Sequence, residues 1–165
     1  MITNFLLDNS GLAPLALALF AVVCAGVGAW LVRVGRQQVL WVLAALSLVP
    51  VMALTFTPSG LKSGGGCTVQ FALPTIGAVE LLANVALFFP PVLFASLASR
   101  RPWLMLVAGM ALSAATEAIQ SQVLAIGRSC DTNDWAMNTA GTVLAVLAAA
   151  ATLVLTKRKQ GTETP

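Results

Sequence analysis

Residues 135–156 read WAMNTAGTVLAVLAAAATLVLT and are followed at once by Lys157, Arg158 and Lys159. No charge interrupts the run. As a helix it would extend about 33 Å at 1.5 Å per residue, enough to cross a hydrocarbon core of about 30 Å. Four further apolar stretches of comparable length precede it: Leu12–Val32, Val39–Thr57, Leu81–Ala98 and Trp103–Gln120. The spacing predicts an all-α polytopic membrane bundle of five transmembrane helices, occupying residues 1–165 as a single membrane domain. Strand-like alternation over ten-residue segments is absent, which argues against a membrane β-barrel.

Composition supports the same solvent. Of 165 residues, 58% are hydrophobic and 9% are charged, against about 25% charged in a typical soluble domain. Fifteen charges (nine Lys+Arg, six Asp+Glu) cannot cover a soluble globule of this size, and disorder requires low hydrophobicity instead. The formal net charge of +3 does not indicate nucleic-acid binding, because the basic residues sit in short clusters between apolar runs, as membrane flanks do. The first run reads as a span and not a cleaved leader, since residues 1–11 carry Asp8 and no Lys or Arg. With no His and no Tyr, a Ser-His triad and phenolic catalysis are excluded.

Arg33 and Arg36 lie between the first two spans, Arg100 and Arg101 between the third and fourth, and Lys157, Arg158 and Lys159 after the fifth. Only Lys62 and Arg128 fall on the other side. The positive-inside rule then places the N-terminus outside and the C-terminus inside, with 157–165 as a cytoplasmic tail. The acids are distributed oppositely: Glu80, Glu117, Asp131 and Asp134 lie near the outer ends of spans three to five. Glu80 and Asn84 share a face of span three. Gly109, Ser113 and Glu117, with Gln120, form a stripe on span four. Asp134, Asn138 and Gly141 form one on span five, continued by Ala145 and Ala149. Small residues let backbones approach, and intramembrane carboxylates face the bundle interior or a wet cavity. Three polar stripes are therefore expected to converge at the outer boundary, with Gly109, Ser113 and Gly141 as packing positions.

The segment Glu117-x2-Gln120-x7-Arg128-x2-Asp131-x2-Asp134-x3-Asn138-x2-Gly141, with Asn84-x3-Phe88-x-Pro90 upstream, resembles the signature of the VanZ-like family, named for a teicoplanin-resistance protein. The similarity covers about residues 80–141. Val92 stands where that family commonly has Gly. The resemblance implies a multi-pass protein of the bacterial plasma membrane, in the cell envelope, linked to antibiotic resistance through glycopeptide or lipoglycopeptide susceptibility.

Several kinds of chemistry stay open at this cluster. Glu117 is the candidate acid–base group, Arg128 the candidate anion grip, and Asp131 and Asp134 a charge network; Asn84, Gln120 and Asn138 would bind or orient a ligand. Oxygen ligands from Glu117, Asp131, Asp134 and Asn138 would suit a divalent cation such as Mg²⁺ or Ca²⁺. The same charges could instead form a purely structural ion-pair network. Three function classes are open: a protein that binds or modulates outer-leaflet, lipid-linked cell-wall intermediates, an acid–base enzyme on a lipid-like small molecule, and a non-catalytic scaffold. The Gly64-Gly65-Gly66 run lacks the Gly-Lys-Ser/Thr of a phosphate loop. Cys24 reads as a small buried hydrophobe. Cys67 and Cys130 fall in loops on one side, where a disulfide would tie the mouth; two free thiols are the alternative.

Overall fold

The computed structural model describes residues 10–57, 67–69, 79–123 and 130–161. A short 3-10 turn (Ser10–Leu12) leads into α1 (Ala13–Arg33), followed by α2 (Gln37–Phe56), α3 (Val79–Ser99), α4 (Pro102–Gln122) and α5 (Thr132–Gly161). All five helices are long and apolar enough to cross a membrane. Between α2 and α3 and between α4 and α5 lie β1 (Cys67–Thr68) and β2 (Cys130–Asp131), which pair in parallel and add a two-residue bridge to an otherwise helical fold.

The connections set the direction of each helix. The α1–α2 turn needs a left-handed residue and uses Gly35 (φ 71°), with the Arg36 amide donating to the Leu31 carbonyl at 3.0 Å. The α3–α4 turn places Arg100 in the same region (φ 55°). Gln37 Nε2 donates to the Ala98 carbonyl, bringing the two turns together. Both turns and the C-terminal end of α5 therefore form one end of the bundle, carrying Arg33, Arg36, Arg100, Arg101 and Lys157. The β1–β2 bridge marks the other end.

α3 is the central helix and packs against all four others. Its buried side chains include Phe88, Phe89, Leu93, Phe94 and Leu97, joined in the core by Leu31, Leu40, Ala145, Val146 and Ala149. Pro90 and Pro91 are buried within α3; each removes an amide donor, yet the helix runs through them, as membrane helices allow.

Helix limits differ modestly from the sequence expectation, most at α5. It begins at Thr132 and continues to Gly161, so the helix runs on through Lys157–Gly161. The early start has a local cause. Asp131 immediately precedes the helix, and its Oδ1 accepts the Asn133 amide at 2.8 Å, the geometry of an N-cap.

Candidate functional site

Glu117 lies near the end of α4 that faces the β1–β2 bridge, and it is buried (8% exposed). Its Oε2 accepts the backbone amide of Asp131 at 2.9 Å. This bond ties α4 to the start of α5 across the connection between them. One turn into α5, Asp134 Oδ1 accepts from Asn84 Nδ2 of α3 at 2.7 Å. Side chains of spans three, four and five thus meet here, through hydrogen bonds that include these two. Asn84, Glu117, Asp131 and Asp134 form the frame of this cluster.

Of the remaining expected residues, Asn138 is buried and Gln120 is half-buried. Arg128 lies outside the described residues, as do Lys62 and the Gly64–Gly66 run. Glu80 is exposed, so the face it was expected to share with Asn84 contributes only the amide. Cys67 and Cys130 form a disulfide, with Cα atoms 4.4 Å apart in register across the β1–β2 bridge. This bridge leads directly into Asp131, so the disulfide anchors the strand whose amide Glu117 holds. Cys24 is a buried free thiol.

Beneath the carboxylates, the small-residue stripes pack helix on helix. A Cβ on Gly109 would lie 2.7 Å from Thr142 Cγ2 and 3.0 Å from Val92 Cγ2. Gly141 faces the carbonyl oxygen of Val85 so closely that no side chain fits. Val92 therefore finds on α4 the space that a glycine of its own would have left on α3. Ser113 and Thr142 are fully buried in the same layer. Ser113 Oγ, Asn138 Oδ1, Thr139 Oγ1 and Thr142 Oγ1 have no hydrogen-bond partner among the described residues. Polar groups therefore continue inward from the carboxylates on α4 and α5.

The sequence reading missed three contributors. Asn133 is buried beside the cluster, and its amide is held by Asp131. The signal was Asp131-Thr132-Asn133-Asp134, an acid followed by a helix, which marks a cap as readily as a charge network. Thr142 is one turn beyond Asn138 and was legible by spacing alone. Gly28 packs against Leu97, a close approach of α1 to α3 that nothing in its apolar neighbourhood distinguishes.

Residues 42–155 match the family model described as VanZ/LLP1. The chain belongs to the VanZ/LLP1 family. No curated protein and no solved structure gives a match. The VanZ/LLP1 match spans most of α2, all of α3 and α4 and the membrane part of α5, so every residue of the carboxylate cluster lies inside it. With five apolar helices, the chain is a multi-pass membrane protein of VanZ type. Among the described residues, no three His, Cys, Asp or Glu gather as a group that could hold a metal ion.

Proposed function

We propose that this VanZ-type protein binds the polar head of a lipid-linked cell-wall intermediate at the Asn84–Glu117–Asp131–Asp134 cluster, on the outer side of a bacterial plasma membrane, and so modulates susceptibility to glycopeptides and lipoglycopeptides. One observation carries this reading: a groove of about 440 Å³ lies between α1, α3 and α5, lined by apolar side chains that include Leu17, Ala21, Ala25, Val85, Phe89 and Ala148. Val85 follows Asn84 on α3, and Leu144 at the groove's edge lies about two to three turns beyond Asp134 on α5. Its lips, Val22 and Leu144, are exposed to the surrounding membrane. A polar cluster at a membrane boundary above a lipid-accessible apolar groove fits an amphiphile with one hydrocarbon chain. Carboxylate and amide groups at its top suit a head rich in hydrogen-bond donors or positive charge.

The outside assignment is supported by the basic end of the bundle, which the positive-inside rule turns toward the cytoplasm. A structural scaffold is the competing reading. It is favoured by the roles already visible: Glu117 holds a backbone amide and Asp131 caps a helix.

The test is expression of wild type beside Glu117→Gln, Asp134→Asn and Arg128→Ala, with teicoplanin susceptibility, lipid-intermediate levels and membrane abundance measured together. The expected result is wild-type abundance with altered susceptibility and altered lipid intermediates. Reduced abundance with no change in lipid intermediates would support the scaffold. An accumulating chemically altered lipid, lost only in Glu117→Gln, would support the acid–base reading.

A further inference from the structure

At the opposite end of the bundle from the carboxylates, the ends of α1, α3 and α5 meet the start of α4 around a cavity of about 390 Å³. Its walls combine two chemistries. Val32, Leu153 and Val154 lie within the spans, whereas Arg100 and Lys157 stand at the helix ends. Every described acid (Glu80, Glu117, Asp131 and Asp134) lies at the other end of the bundle, so no described carboxylate neutralises this pair. Pro102, the first residue of α4, completes the wall. The backbone is also unusual here. The left-handed conformation of Arg100 (φ 55°) is one glycine adopts freely, as Gly35 does in the other turn, and a side chain adopts only at a cost.

We infer that this cavity binds the phosphate headgroup of an anionic membrane phospholipid, with Arg100 and Lys157 contacting the charge and an acyl chain lying along Val32, Leu153 and Val154. Basic side chains at the membrane boundary satisfy the phosphate, and the apolar wall one turn further in meets the part of the lipid that a free phosphate lacks. Basic pockets between membrane helices are suited to such headgroups. The site is independent of the carboxylate cluster, lies at the other membrane face, and stands whether or not that cluster binds a ligand.

The test uses the full chain purified in detergent and titrated with phosphatidylglycerol or phosphatidylcholine of identical acyl chains, read by native mass spectrometry and by thermal stability. Phosphatidylglycerol should be retained and should stabilise the protein, and phosphatidylcholine should do neither. Arg100→Gln and Lys157→Gln should each weaken phosphatidylglycerol binding roughly fivefold, while Arg101→Gln, the same charge change outside the cavity, should leave it within about twofold. Arg100→Gly removes the charge and relieves the left-handed strain together, so it should fold at least as well as wild type and still lose binding; Arg100→Lys should retain most of it. Equal binding of the two lipids would overturn the inference. So would a loss in Arg101→Gln as large as in Arg100→Gln, the mark of a diffuse basic surface, or displacement of the lipid by excess inorganic phosphate, the mark of a simple anion site.

Discussion

Glu117 performs two separable tasks at one position: it accepts an amide hydrogen bond from Asp131, and it places a carboxylate among two others. Gln keeps an acceptor oxygen at this position and Ala does not. Glu117→Gln should therefore leave thermal stability in micelles nearly unchanged. Glu117→Ala, which strands a backbone donor in an apolar setting, should cost about 1–3 kcal/mol. Equal melting temperatures for the two variants would show that the bond contributes nothing. The Asn84–Asp134 bond is best measured as a coupling, because Asp134 has further interactions. A double-mutant cycle with Asn84→Ala and Asp134→Ala should return about 0.6 kcal/mol and no more than about 1.7, the average and maximum for hydrogen bonds between membrane helices. Additive effects would mean that the two side chains do not act together. At this scale much of the cluster was legible: residues three or four apart on one helix share a face, and the sequence alone places Asn84, Glu117 and Asp134 at similar depths. What spacing could not show was the partner of each oxygen atom. Glu117 spends one oxygen on a backbone amide, and Asp131 turns inward on its own helix. Both choices depend on how the chain folds back after α4.

Among the elements, α3 and α5 approach closely where Gly141 sits against the Val85 carbonyl. A main-chain oxygen in the central helix cannot move aside. The neighbours of Gly109 are the stiff, β-branched side chains of Thr142 and Val92, which yield more readily than a main-chain carbonyl but not freely. Gly141→Ala should therefore destabilise by at least about 1–3 kcal/mol despite the better helix propensity of alanine, and Gly109→Ala by distinctly less. Thermal unfolding of the two variants side by side checks the ranking. The reverse order would mean that α3 and α5 are not in this register. The start of α5 provides a second comparison. Asp131→Asn keeps a capping side chain and removes its charge, whereas Asp131→Ala removes both. If Asp131 serves the helix, Asn should retain stability and Ala should lose about 1 kcal/mol; a drug-susceptibility change in Asp131→Asn at unchanged stability would instead reveal a task for the charge.

For the whole molecule, the Cys67–Cys130 disulfide joins positions 63 residues apart. Closing a loop of this length stabilises by about 4.3 kcal/mol in the chain-entropy account. Cys67→Ser should lower the melting temperature and release one newly alkylatable thiol at Cys130. Full alkylation of both wild-type cysteines without reductant, in protein taken from an oxidising compartment, would contradict the bridge. Five spans with basic residues at one end further predict that a reporter fused after Gly161 is active only in the cytoplasm. The sequence by itself determined the number of helices, their approximate limits and the basic end, because water, hydrocarbon and the interface between them sort side chains by chemistry alone. It did not determine which helix is central. α1 has the highest mean hydropathy of the five spans, 2.5, yet is mostly exposed, whereas α3 at 2.0 is the most buried. In water, apolar character predicts burial; in a membrane the lipid is as apolar as the core, so hydropathy no longer separates the two. Only tertiary structure could place α3 at the centre, because that position depends on backbone approach at Gly28, Gly109 and Gly141 and on the hydrogen bond from Asn84 to Asp134.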